Sequence, residues 1–95
     1  MPDPEQSELI ERTNRAGVEF LFTDVEMAFT FLRVGETSTS RETRDRNLAN
    51  ALQGYRAVLH FLPRVVLSPV QEIDLQEKLH NLKSRLEQAG IFCES

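Results

Sequence analysis

Few side chains in this chain are of the kinds that do chemistry, and Asp24 is the most unusual of them. Projected at about 100° per residue, it falls in the middle of a broad apolar arc formed by residues 17–35, on the side away from Glu19, Glu26 and Arg33. A charge within an apolar surface is costly unless it is paired, hydrogen-bonded or neutral. The expected arrangement is a buried polar link that holds helix register. Tyr55 at the centre of a later apolar stripe, Arg44 on the same inner face and Arg56 at its edge are candidate partners, as is Arg85 further on. Counting equal steps from the intervening loop puts Tyr55 or Arg56 nearest to Asp24. The other reading of Asp24 is a polar spot in a ligand groove. No nucleophile, second carboxylate or phosphate loop accompanies it, so general acid–base catalysis has no support.

The remaining reactive types are scattered. His60 and His80 fall on polar faces of different helical segments, and Cys93 is the third residue from the end. There is no HxxxH, CxxC or carboxylate cluster of metal-binding spacing. His60-Phe61-Leu62-Pro63 lacks the H-x-x-K-G context of histidine phosphotransfer bundles. The chain therefore reads as non-enzymatic, with no catalytic residue, metal or cofactor. Arg41, Arg44, Arg46, Arg56 and Arg64 give one segment a positive character, interrupted by Glu42 and Asp45. These arginines are expected to pair with acids of the preceding helix. The alternative is a nucleic-acid-associated or regulatory protein using the Arg-rich start of that segment. Against it stand the net charge of -4, which opposes nonspecific binding to nucleic acid or anionic lipid, and the lack of tight helix-turn-helix spacing.

The elements that carry these residues are helices. In Asn47–Leu62, Leu48, Leu52, Tyr55, Leu59 and Leu62 recur at steps of four, three, four and three, with Ala51 and Val58 beside them. That is one core-facing helical stripe. Before it, Asp3-Pro4-Glu5-Gln6 marks a helix start, and the pattern runs from Leu9 to Val34, through Gly17 as a site of close packing, to a stop at Gly35. Thr39-x-x-Glu42 reads as a capping box. Pro63 ends the second helix near Leu62, and Arg64–Leu67 is an apolar connector across the bundle end. Ser68-Pro69-Val70-Gln71 is a third start. Leu75, Leu79, Leu82, Leu86 and Ala89 line one face of the last helix, and Gly90 with Ile91 supplies its C-cap. No alternating strand pattern is present. The expected fold is all-α, an antiparallel up-down-up three-helix bundle with helices at about 5–34, 40–62 and 69–89. It forms one domain over 1–95, with frayed ends at 1–6 and 92–95.

The first helix carries more apolar surface than a core contact needs. Phe20, Leu21, Ala28, Phe31 and Leu32 form one stripe, and Val18, Phe22, Val25 and Phe29 form another beside it. Either this helix lies deep between the other two, or the second stripe is an interaction face. On the second reading Val18, Phe22, Val25 and Phe29 meet a protein partner, either a second copy or a helical peptide. A homodimer is the economical version.

Ninety-five residues make one small domain. One cysteine permits no internal disulfide, no apolar run reaches the ~18 residues of a membrane span, and the acidic start MPDPEQSELIE is not a secretory signal. These features predict a cytoplasmic protein with no membrane association. Ala51, Tyr55 and Leu59, followed by Leu79, Leu82 and Arg85-Leu86-Glu87, resemble the helical pairs of MIT- and TPR-type modules over about half the chain. The resemblance implies a three-helix module that holds short peptide helices in a groove. The long, Phe-rich first helix departs from that pattern. The chain is also similar to small bacterial helical proteins of no assigned mechanism. The function this predicts is a small protein-interaction or scaffolding module.

Overall fold

The computed structural model describes residues 4–91; of the frayed ends expected at 1–6 and 92–95, residues 4–6 are instead helical, and 1–3, with the cap expected there, and 92–95 lie outside the described residues. Three helices make up the fold: α1 (Pro4–Thr37), α2 (Arg41–Phe61) and α3 (Pro69–Gln88), with a 3-10 turn at Leu62–Arg64 between the last two. Among the described residues there is no strand. Contacts along α1 and α2 run in opposite directions, Phe20 meeting Phe61 and Gly35 meeting Leu48. Those between α1 and α3 run together, from Glu26 with Lys78 to Glu36 with Arg85. Both directions fit the up-down-up bundle.

The core is the leucine and valine face of all three helices. Leu21, Val25 and Leu32 of α1, Leu48 and Val58 of α2, and Leu75, Leu82 and Leu86 of α3 are fully enclosed. Tyr55 and Ala51 join them, while Leu52, Leu59 and Leu62 of the α2 stripe are partly buried against this core. Full burial of a leucine side chain contributes about 1.5–3 kcal/mol.

Two helix starts separate here. Ser68 behaves as expected: its Oγ accepts from the Gln71 amide at 3.2 Å, and the Gln71 Oε1 accepts from the Ser68 amide at 2.9 Å. Pro69 follows at the first helical position, where a missing N–H costs nothing. The α2 cap, however, is Ser40 rather than Thr39, with its Oγ accepting from the Thr43 amide. The Ser38 Oγ accepts from the Ser40 amide, which sets the loop one residue later than the Thr39–Glu42 spacing implied.

Gly35 does not stop α1. The helix continues to Thr37, because Gly35 is buried beside Leu48 and serves as a close approach to α2. Gly17 has the same kind of role, since a Cβ there would sit 2.9 Å from the Val65 side chain. The apolar connector, expected across the bundle end, thus packs against α1 at Gly17. Asn14 pins it by donating to the Val66 carbonyl at 2.9 Å and accepting from the Val66 amide at 2.7 Å. Gly90 takes φ +90, with Ile91 N–H donating to Leu86 O at 2.9 Å and Gly90 N–H to Glu87 O at 3.0 Å. That is the Schellman pattern.

At about 1.5 Å per residue, the 34 residues of α1 span ~51 Å, far more than α2 or α3 covers. The molecule measures 57 × 21 × 19 Å. Residues 4–13 are all exposed, and they project beyond the connector.

Candidate functional site

The third helix decides which faces of α1 are left open. Phe29 lies under the Arg85 guanidinium at 5.7 Å from its ring centroid, a cation–π distance. Arg85 also pairs with Glu36, and Lys78 with Glu26 at 3.3 Å. α3 therefore lies along the Phe22–Phe29 side of α1. Val25 is wholly inside the core, Phe22 and Phe29 pack against it, and Val18 is partly buried. The stripe read as an interaction face is thus mostly the seat of α3, and the reading of α1 as lying between its neighbours holds on this side. The acids of α1 reach cations of α3 rather than the arginines of α2.

The opposite flank is open. Phe20, Met27 and Val34 recur every seven residues, so they share one face of α1. All three are exposed, Met27 by 50%. Phe29 lies about 160–180° around the helix from Phe20 and Met27, so this flank points away from α3. Together with α2 it walls a groove. Asp24, Met27, Ala28 and Phe31 form the α1 wall, and Asn50, Gln53, Gly54 and Ala57 the α2 wall. The helices approach closely at the floor, where a Cβ on Gly54 would sit 3.1 Å from that of Ala28. Small residues there bring the backbones together and leave the larger Met27 and Phe31 standing as a rim. At one end Phe20 and Phe61 pack edge-to-face at 5.3 Å, and Arg64 lies over the Phe61 ring at 5.7 Å.

Asp24 is partly buried in this groove and is the one charged residue lining it. The expected link does not form. Tyr55 lies in the core, on the next face of α2; Arg56 is exposed; and Arg44 donates to the Ala89 carbonyl at 3.3 Å, at the C-terminal end of α3. Arg85, the remaining candidate, is engaged by Glu36 and Phe29. Asp24 does lie at this level of α2, its carbonyl 3.6 Å from a Cβ built on Gly54, but on a different face: one residue of α2 is about 100° of rotation, and it takes Asp24 from the core to the groove. Arg44 acts instead as a cation at a helix C-terminus, where the carbonyl dipoles favour it.

The sequence pattern does not reveal a further set of exposed apolar side chains. At the α1 overhang Leu9 and Ile10 are exposed, and near the start of α3 so are Val66, Val70 and Ile73, Val70 by 77%. Leu9 and Ile10 share a shallow cleft with Val65 and Val66. Arg41, Arg46 and Arg56 are exposed, but they spread over about 140° of the α2 circumference, which does not make one strip for a phosphate backbone. His60 and His80 are exposed as expected, and Cys93 lies outside the described residues. Among the described residues no group of His, Cys, Asp or Glu is placed to hold a metal ion, and no helix is long and apolar enough to cross a membrane. Set against known protein families, curated proteins and solved structures, the chain matches none of them.

Proposed function

We propose that this chain is a non-enzymatic protein-interaction module whose α1–α2 groove receives an amphipathic helix. The observation that carries this reading is the groove itself: a channel floored by Ala28 and Gly54, with Met27 and Phe31 on its rim and Phe20 and Val34 exposed on the same flank of α1. A helix laid there completes a four-helix cross-section and covers apolar surface that α3 cannot reach. Helix-in-groove recognition uses anchors at i, i+3, i+4 and i+7, and a groove between two antiparallel helices accepts that spacing. The resemblance to peptide-holding helical modules points the same way. The test is titration of the labelled full chain with an amphipathic helical peptide, followed by NMR. Shifts at Met27, Gly54 and Ala57 that Met27→Glu abolishes in a folded protein support the reading. Shifts confined to other surfaces reject it.

A homodimer is the second reading, favoured by further exposed apolar side chains, Leu9, Ile10 and Val66 around one cleft and Val70 and Ile73 on α3. It predicts a concentration-dependent solution mass that Ile10→Glu or Ile73→Glu reduces to the monomer without loss of helicity. A monomeric wild type at high concentration ends it.

A further inference from the structure

The groove contains one feature that apolar contact does not explain. Asp24 stands among Met27, Ala28, Phe31 and Ala57. Among the described residues the ion pairs are made elsewhere, by Glu8, Glu26, Glu36 and Asp74 with Arg12, Lys78 and Arg85. The α2 wall opposite offers two amides, Asn50 and Gln53, and no cation. A carboxylate half-withdrawn from water loses hydration, and among the described residues no hydrogen bond or ion pair to its side chain replaces it. An apolar occupant without a cation would complete that loss, and a carboxylate-bearing occupant would add repulsion.

Resting on the groove reading above, we infer that the cognate occupant is a helix of another protein carrying a Lys or Arg within its apolar stripe, placed to meet Asp24. The cation restores what desolvation removes, and its aliphatic stem lies along Met27 and Ala28 as long basic side chains do on apolar surfaces. The same carboxylate sets direction. Asp24 lies nearer the Phe20–Phe61 end of the exposed stripe than the Val34 end, so a cation off-centre in the ligand distinguishes its two orientations.

A second copy of this chain is the poorer occupant. A two-fold axis through the middle of the stripe, near Met27, sets the two Asp24 carboxylates at positions about 9 Å apart along the groove. No cation from either copy lines the channel to pair with them.

The experiment uses the full chain and three 18-residue amphipathic helical peptides. They are identical except at one inner position of the apolar stripe, which is Lys, Leu or Glu. Affinities are measured by calorimetry and the site by NMR shifts. The Lys peptide is expected to bind wild type at least about tenfold tighter than the Glu peptide, as charge-assisted hydrogen bonds of this kind give. Asp24→Asn removes the preference, and Asp24→Lys reverses it towards Glu. Equal affinities for all three peptides, at a groove still mapped to Gly54 and Ala57, overturn this inference and leave the groove reading standing. Failure of all three to bind, or binding mapped to Leu9, Ile10, Val70 or Ile73, overturns both. A wild-type dimer abolished by Met27→Glu overturns the inference by making a second copy the occupant.

Discussion

Asp24 shows how a single side chain divides a stability problem from a recognition problem. Among the described residues it makes no ion pair, and it sits mid-helix, where aspartate is a weak helix former. Asp24→Leu is therefore expected to raise stability by about 1 kcal/mol, or roughly 4–8 °C in Tm for a domain of this size. A loss on calorimetric unfolding would mean that the carboxylate supports the fold. Gly90 is the converse case. Nothing lies within 4 Å of a Cβ built there, so its φ of +90 is the whole reason for glycine. Gly90→Ala is expected to cost about 1 kcal/mol through backbone strain alone, read as a lower denaturant midpoint with an unchanged m-value.

At the scale of the helices, caps and covering contacts decide where each element ends and which face it hides. Ser40 and Ser68 each accept a hydrogen bond from the backbone of the first helical turn, whereas Thr39 does not cap α2. Ser40→Ala and Ser68→Ala should each cost about 1 kcal/mol. Thr39→Ala should be nearly neutral in urea unfolding, and a reversed order would move the α2 start back by one residue. α3 holds its position on α1 through Leu75, Leu79, Leu82 and Leu86, with Arg85 bridging Phe29 and Glu36. Leu82→Ala is expected to cost ~2–5 kcal/mol, out of the ~5–15 kcal/mol a domain has to lose. Phe29→Glu, which an interaction face would tolerate, is expected to loosen α3 instead.

The whole molecule is a rod with two unlike ends. Its radius of gyration is 15.9 Å, against ~13 Å for a compact chain of about this length. The difference comes from the α1 overhang, where residues 4–13 lie exposed before Asn14 and Gly17 engage the connector. Two to three turns whose contact with the rest of the chain is a shallow cleft at Leu9 and Ile10 are marginal as a helix. Amide exchange is therefore expected to be fast before Asn14 and slow from Leu21 to Leu32, the buried stretch of α1. Equal protection along α1 would show that something covers the overhang, as the dimer reading requires.

By itself the sequence determined the class of fold, because helical periodicity, caps and breakers are local. The Asn47–Leu62 stripe, the Ser68–Gln71 box and the Gly90 cap all depend on residues a few positions apart, whereas the partner of Gly17, Val65, lies beyond α2 in the chain. It also showed that α1 has apolar surface on more than one face. Tertiary structure alone decided which of those faces is covered. Periodicity orders residues around one axis but does not say on which flank the third helix lies, and α3 took the Val18–Phe29 stripe and left Phe20, Met27 and Val34 open. The same holds for Asp24. Its level beside α2 follows from counting along the chain, but whether it faces the core or the groove depends on the rotation of two helices about their own axes. That rotation is set by close contacts such as Ala28 with Gly54, which exist only once the helices have packed.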